Sequence, residues 1–207
     1  MLKDLKITEF IDKTAGSDPV PGGGSISALC GTISAALTQM VAQLTIGKKK
    51  YVEVEEEMKA IAQKAEDILN ELILDIDRDS DAYNMVFDAF KLPKETDEEK
   101  AKRSDAIQEA TKHAALVPME VAKKTFSLLP LIQAVVEKGN QNAITDGCVA
   151  MMCARTAVLG ALLNVRINLG SLKDEAFVTN LATEAKKMEE EIQSIERKVL
   201  EMTYSAI

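Results

Sequence analysis

The sequence has no tryptophan, a single histidine and an aromatic content of only 4 %. Because His113 stands alone in a polar stretch, we expect it at the surface, and neither a Ser-His-Asp triad nor a zinc site is expected. The three cysteines, at positions 30, 148 and 153, are odd in number and lie in apolar surroundings. They indicate buried thiols in a reducing compartment rather than a disulfide framework.

Positive charge is scarce as well. The chain has 25 Lys and Arg against 33 Asp and Glu, a formal net charge of −8, which excludes a general nucleic-acid or anionic-membrane surface. The N-terminus lacks the apolar core of a signal peptide. The long apolar stretch 26–46 contains Ser, Thr, Gln and Gly, which is typical of close helix packing in a soluble core. We therefore expect a cytoplasmic protein with no nucleic-acid and no membrane partner.

Strand-like alternation, internal repeats and low-complexity linkers are also lacking, whereas helix-forming residues dominate. The sequence predicts an all-α fold, a multihelical bundle of five to seven helices in a single domain spanning residues 1–207. The predicted helices are 2–15, 25–46, 50–92 broken or bent on the way, 96–138 kinked or split at its prolines, 145–169, and one from 171 onward. Two of them are apolar almost all round, so a homodimer that buries the surplus is expected.

The segment 19–25, Pro-Val-Pro-Gly-Gly-Gly-Ser, leads directly into the second predicted helix. Glycines at the start of a helix leave unpaired backbone N–H groups open to close approach by an anionic or polar ligand. This pattern makes the loop a candidate ligand site. The alternative is an ordinary helix-entry turn with Ser25 as the N-cap.

An aspartate interrupts the apolar stripe of the third predicted helix. Positions 69, 72, 76, 79, 83, 86 and 90 step by three and four, and Asp79 therefore points inward. It belongs to a run with Asp75, Asp77 and Asp81, in which Asp75 and Asp79 share a face. An inward carboxylate with a raised pKa is a natural general acid–base group. The alternatives are an ion pair within the bundle or a solvated face, and periodicity favours Asp79 over Asp77.

Polar residues in a later apolar helix are further candidates. Arg155 lies on the apolar stripe of the helix 145–169 and is expected to pair with an inward aspartate. Asn164 and Asn168, near its end, could satisfy backbone groups or contact a heterocycle. The run 48–50 is the one strongly basic segment. It is either a solvated turn or a site for carboxylates.

A set of short segments is distributed in order along nearly the whole chain. They are PVPGGGS at 19–25, GKKKY at 47–51, DRDSDAY at 77–83, KLPKET at 91–96, VP at 117–118, GN at 139–140 and LNVRINL at 163–169. Taken in this order, these segments closely resemble the formiminotetrahydrofolate cyclodeaminase family, which includes methenyltetrahydrofolate cyclohydrolases.

The resemblance implies an intertwined all-helical homodimer that converts 5-formiminotetrahydrofolate to 5,10-methenyltetrahydrofolate and ammonia, with folate as substrate and neither metal nor cofactor. Alternatives are a methenyltetrahydrofolate cyclohydrolase or a helical scaffold that has lost the chemistry. We expect no formiminotransferase domain before this region, so that a separate chain would supply that activity.

The resemblance also implies roles for individual residues. The catalytic aspartate of the family corresponds to Asp77 or Asp79. The loop formed by Pro21, Gly22, Gly23, Gly24 and Ser25 would line the folate site. Lys48 and Lys49 would meet the glutamate tail of the substrate. Asp146, Asn164 and Asn168 would be pterin or core contacts.

Overall fold

A computed structural model describes residues 1–207 and contains helices but no strands. The predicted all-α class is confirmed. The α-helices are α1 (Ile7–Thr14), α2 (Gly23–Thr45), α3 (Glu55–Phe90), α4 (Asp97–Phe126), α5 (Leu129–Lys138), α6 (Ile144–Leu169) and α7 (Glu175–Ala206). Short 3-10 turns cover Leu2–Asp4, Lys49–Val54 and Gln141–Ala143.

The helix ends follow local chemistry, with several differences from the sequence prediction. α4 begins with the predicted capping box, in which the Thr96 hydroxyl accepts from the Glu99 backbone N–H. α3 is one continuous helix, and its start lies after a 3-10 turn rather than at Lys50. Pro118 is accommodated inside α4, whereas Pro130 lies in the first turn of α5, where its missing N–H costs nothing.

The core is built on α2, which packs against α3 on one side and α6 on the other, with α4 and α7 completing the bundle. Small residues let the backbones of α2 and α6 approach closely. Gly160 lies against the Ser27 side chain, and the Ser34 hydroxyl donates to the Ala150 carbonyl at 2.8 Å. Large side chains such as Leu72, Met151 and Ile192 are fully buried around this contact. The tight contact fixes the start of α2 against the end of α6.

Helix α2 and the segment Gln141–Leu169 are long and apolar enough to cross a membrane by composition. Of their most apolar windows, 56 % and 50 % of residues are buried inside the bundle. This burial agrees with the close helix packing that the sequence predicts for the stretch 26–46.

Candidate active site

A cavity of about 350 Å³ opens where the start of α2 meets the middle of α3 and the end of α6. A volume of this size is in the range of small-molecule sites. The lining comprises Pro19, Val20, Gly22, Gly23, Gly24, Asp79, Ala82, Tyr83, Val86, Ala114, Asn164, Ile167 and Asn168. Asp79 and Tyr83 are the titratable residues among them, and the remaining wall is mostly apolar or glycine.

The Asp79 carboxylate lies against the first turn of α2. Its Oδ2 atom is 3.2 Å from the Ser25 hydroxyl, which can donate to it. Burial raises the pKa of Asp79 above its usual range, and hydrogen bonds from the hydroxyl and the backbone N–H of Ser25 partly offset that rise. The positive end of the α2 dipole acts in the same direction as those hydrogen bonds. The site therefore holds one carboxyl group whose pKa lies above the usual range of an aspartate, so that it gains and loses a proton at a higher pH.

Gly24 makes this arrangement sterically possible. A Cβ atom at position 24 would overlap both carboxylate oxygens of Asp79. At position 23 a Cβ atom would lie 3.2 Å from the Asn164 amide nitrogen, which is tight but can be relieved by a small shift. The glycine run was predicted to admit a ligand to the helix N-terminus, and the group found there is the chain's own Asp79. Ser25 is not the N-cap of α2, because that position belongs to Gly22.

The two asparagines line the same cavity, and Asn164 lies against Gly23. Asn164 donates to the Gly160 carbonyl at 2.9 Å, and Asn168 donates at 2.9 Å to the carbonyls of both Ala114 and Asn164. Because Asn168 uses both amide hydrogens in this way, its side-chain oxygen is left as an acceptor. The predicted role of satisfying backbone groups is therefore observed for both asparagines, which also line the cavity, and their predicted contact with a heterocycle stays a prediction.

Asp77 does not reach the cavity. Its carboxylate turns to the N-terminal segment, where it accepts from the Leu2 backbone N–H at 2.5 Å and from the Lys3 backbone N–H at 3.4 Å. A helical step of two residues from Asp79 gives this different direction. Pro21 is buried directly before the glycines but outside the lining.

Lys48, Lys49 and Asp146 lie far from Asp79 within the chain. The two lysines follow the C-terminal end of α2, whose 23 residues span about 34 Å at the α-helical rise. Asp146 is in the first turn of α6, whereas Asn164 and Asn168 are near its other end. One chain therefore assembles the glycines, Asp79 and the asparagines, but not the predicted lysines or Asp146.

The predicted pairing of Arg155 with an inward aspartate is wrong. Its guanidinium is 2.8 Å from Glu196 on α7. The inward aspartate that forms ion pairs is Asp75. It is fully buried and contacts Arg78 at 2.5 Å and Lys124 at 2.8 Å. Sequence periodicity had placed Asp75 and Asp79 on one face but could not show which of them is paired.

Tyr83 and Ile167 line the cavity but were not predicted site residues. Helical spacing could have indicated both, because Tyr83 lies four residues after Asp79 and Ile167 three residues after Asn164. Ala114 of α4 carries no such sequence signal, since its place depends on how the helices pack.

Comparison with known proteins identifies the chain's relatives. Residues 6–187 match the family model described as formiminotransferase-cyclodeaminase. The chain belongs to this family. It is 40 % identical to a methenyltetrahydrofolate cyclohydrolase of Methylorubrum extorquens, an alignment covering 97 % of each chain.

More distant members differ in overall length. The formimidoyltransferase-cyclodeaminase of Rattus norvegicus is 32 % identical over 89 % of this chain, which spans 36 % of that protein. Among solved structures, a formiminotetrahydrofolate cyclodeaminase of Thermotoga maritima is 31 % identical, with a TM-score of 0.88 over 99 % of this chain and 98 % of that one. The resemblance inferred from the sequence motifs is thereby confirmed.

Proposed function

We propose that the protein is a folate enzyme that uses Asp79 as the acid–base group at the one-carbon unit of tetrahydrofolate. The observation that carries this proposal is a single carboxyl group of raised pKa in a small, largely apolar cavity. Tyr83, the other titratable side chain of the lining, is half exposed at its edge.

In the cyclodeaminase reaction, N10 of 5-formiminotetrahydrofolate attacks the carbon of the formimino group, which enters as its protonated amidinium form, so that the exocyclic nitrogen becomes an NH2 group. Asp79 takes the N10 proton from the tetrahedral centre and returns it to the exocyclic nitrogen. The bond to that nitrogen then breaks, ammonia leaves, and 5,10-methenyltetrahydrofolate remains as a cation beside the carboxylate. No nucleophilic side chain, metal or cofactor is needed for these steps.

In the cyclohydrolase reaction, water attacks the methenyl carbon while Asp79 takes one of its protons. Asp79 then protonates N5 as the carbon–N5 bond breaks, and the hydroxyl proton passes to solvent. The product is 10-formyltetrahydrofolate. Both reactions use one tetrahedral carbon and one carboxyl group, which is why the same cavity suits either.

Different observations favour the two reactions. The 40 % identity over 97 % of both chains favours the cyclohydrolase, which we place first. The fold match to a cyclodeaminase over 99 % of this chain keeps the reaction predicted from sequence as the second candidate. A cytoplasmic location and a separate formiminotransferase stay predictions.

We assign pterin recognition to the asparagines. The side-chain oxygen of Asn168, and that of Asn164 beside it, offer acceptors to the ring N–H and amino groups of a pterin. The apolar wall from Ala82, Val86 and Ile167 would cover the faces of the ring.

A paired assay on the purified protein tests the proposal. One cuvette holds methenyltetrahydrofolate and follows the loss of its absorbance, and the other holds 5-formiminotetrahydrofolate and follows its gain together with ammonia. Turnover in the first alone supports the cyclohydrolase, and ammonia-linked turnover in the second supports the cyclodeaminase. Silence in both from a folded protein would leave the non-catalytic scaffold.

We further propose that the chain acts as a homodimer. Helices α2 and α6 expose large apolar side chains at spacings of three, four and seven residues. Exposed apolar surface of this kind is typical of protein–protein interfaces. These side chains are Ile33, Met40, Leu44, Val149, Met152, Leu163 and Ile167. Sedimentation equilibrium of the wild type and of Met152→Lys tests this, because a charge in a buried interface should release monomer.

A dimer would also give the lysines a route to the site. If Lys48 and Lys49 contact the substrate tail, they do so in the cavity of the partner subunit, since about 34 Å separates the ends of their own α2. Mixing an Asp79→Asn chain with a chain carrying Lys48→Glu and Lys49→Glu should then restore about one quarter of wild-type activity. No recovery above the parent variants would contradict a shared site.

A further inference from the structure

The Ser25 hydroxyl has more hydrogen-bond neighbours than it has protons. Its Oγ atom lies 2.9 Å from the Ile76 carbonyl oxygen, 3.2 Å from Asp79 Oδ2 and 3.1 Å from Ser80 Oγ. A hydroxyl carries one hydrogen and can accept two. Because Ser25 is fully buried, its single hydrogen is shared among these protein neighbours and not with solvent.

The charge state of Asp79 decides which neighbour receives that hydrogen. When Asp79 is ionised, Ser25 donates to its Oδ2 atom and can accept from Ser80. When Asp79 is protonated, its O–H donates to Ser25, and the Ser25 hydrogen turns to the Ile76 carbonyl. Both states are fully hydrogen-bonded, and only one O–H bond has to rotate between them.

We infer that Ser25 is a positioning residue whose hydroxyl rotates to support both protonation states of Asp79, so that one carboxyl can accept and return a proton within a turnover. This inference rests on the proposed function for its catalytic meaning, but the coupling itself is a property of the ligand-free protein. Ser25 is not part of the cavity lining and acts through Asp79 rather than on the substrate.

Few other charges face Asp79. On its own helix, Asp75 is held by Arg78 and Lys124, and Tyr83 lies at the cavity edge. The first turn of α2 carries no charged side chain.

The other two helices around Asp79 also present neutral residues to it. From α4 the facing residue is Ala114, with His113 beside it exposed to solvent. From α6 the facing residues are the neutral asparagines, and Arg166 pairs with Glu189 at 2.5 Å. Ser25 is therefore the side chain that is hydrogen-bonded to Asp79.

The test follows the Asp79 carboxyl by ¹³C NMR as a function of pH in the ligand-free protein, with Asp79→Asn used to assign its signal. In Ser25→Ala the midpoint should move upward by about one pH unit, because the charge-assisted hydrogen bond lost to the ionised form is stronger than the neutral one lost from the protonated form. Ser80→Ala, which removes a hydroxyl that contacts Ser25 but not Asp79, should leave the midpoint near the wild-type value. An unchanged midpoint in a folded Ser25→Ala protein would overturn the inference.

A second variant serves if Ser25→Ala does not fold. In Ser25→Cys the side chain has nearly the same size but the thiol is only a weak donor, so the same upward shift of the midpoint is expected.

Kinetics of an active protein provide a second readout. In the Ser25 variants the acid limb of the kcat profile should move in parallel with the midpoint, and kcat should fall about 10-fold or more, while KM stays near the wild-type value. A raised KM with unchanged kcat and pH profile would instead make Ser25 a substrate contact. An absent folate activity with a shifted midpoint would refute the proposed function alone.

Discussion

Replacing Gly24 with alanine tests the contact between the glycine run and Asp79. The added Cβ would overlap both oxygens of the carboxylate, so the Asp79 side chain has to move by about 1 Å. A displacement of that size at a reacting group typically lowers the rate about 10²-fold, equivalent to about 2.7 kcal/mol of activation free energy. Alanine in place of glycine in a helix contributes up to about 1 kcal/mol to stability. The variant should therefore fold and be nearly inactive.

Gly23→Ala is the matched control, since it makes the same chemical change one residue earlier. Its Cβ atom would lie 3.2 Å from the Asn164 amide nitrogen, a contact that a small shift can relieve. We expect a loss of less than about 10-fold in kcat/KM. Steady-state kinetics on methenyltetrahydrofolate, with circular dichroism to verify folding, compares the two variants. Equal losses in both variants, or wild-type activity in Gly24→Ala, would show that the contact between Gly24 and Asp79 does not control activity.

Other predictions concern the aspartates of α3. Asp77→Asn weakens the hydrogen bonds to the N-terminal segment, so it should cost about 1–3 kcal/mol of unfolding free energy in urea while kcat stays near wild type. Lys124→Met leaves the fully buried Asp75 with one cation fewer and should cost about 3–5 kcal/mol, whereas Lys123→Met, at a surface ion pair, should cost under about 1 kcal/mol. Because burial raises the pKa of Asp79 above its ordinary 3.8, the folded chain binds this proton more tightly than the unfolded chain. The free energy of unfolding therefore falls as the pH rises from 3.8 through the raised pKa of Asp79, and Asp79→Asn should remove this slope in urea titrations.

The sequence predicted the class of the fold and the inward direction of Asp79, because both depend on helical periodicity. The expected number of helices is also met, with α1 to α7 at the upper limit. The structure differs from the sequence prediction at Pro118 and at Lys50. Tertiary packing holds α4 together through its proline, and a 3-10 turn replaces the predicted first turn of α3.

What periodicity cannot supply is which helices meet. The sequence showed three glycines and an inward aspartate, but not that Gly24 lies against Asp79, 55 positions away along the chain. For the same reason Arg155 was assigned to an aspartate, although α7 brings Glu196 to it. The separation of Lys48 and Asp146 from the cavity also emerges only once α2 and α6 are placed as long straight helices.

The most direct test of the acid–base role is the comparison of wild type, Asp79→Asn and Asp77→Asn in the methenyltetrahydrofolate and 5-formiminotetrahydrofolate assays, with folate binding measured by calorimetry. We expect Asp79→Asn to lose at least about 10³-fold in kcat while still binding folate, and Asp77→Asn to keep near wild-type turnover. Turnover by Asp79→Asn within about 10-fold of wild type, or loss confined to Asp77→Asn, would contradict it.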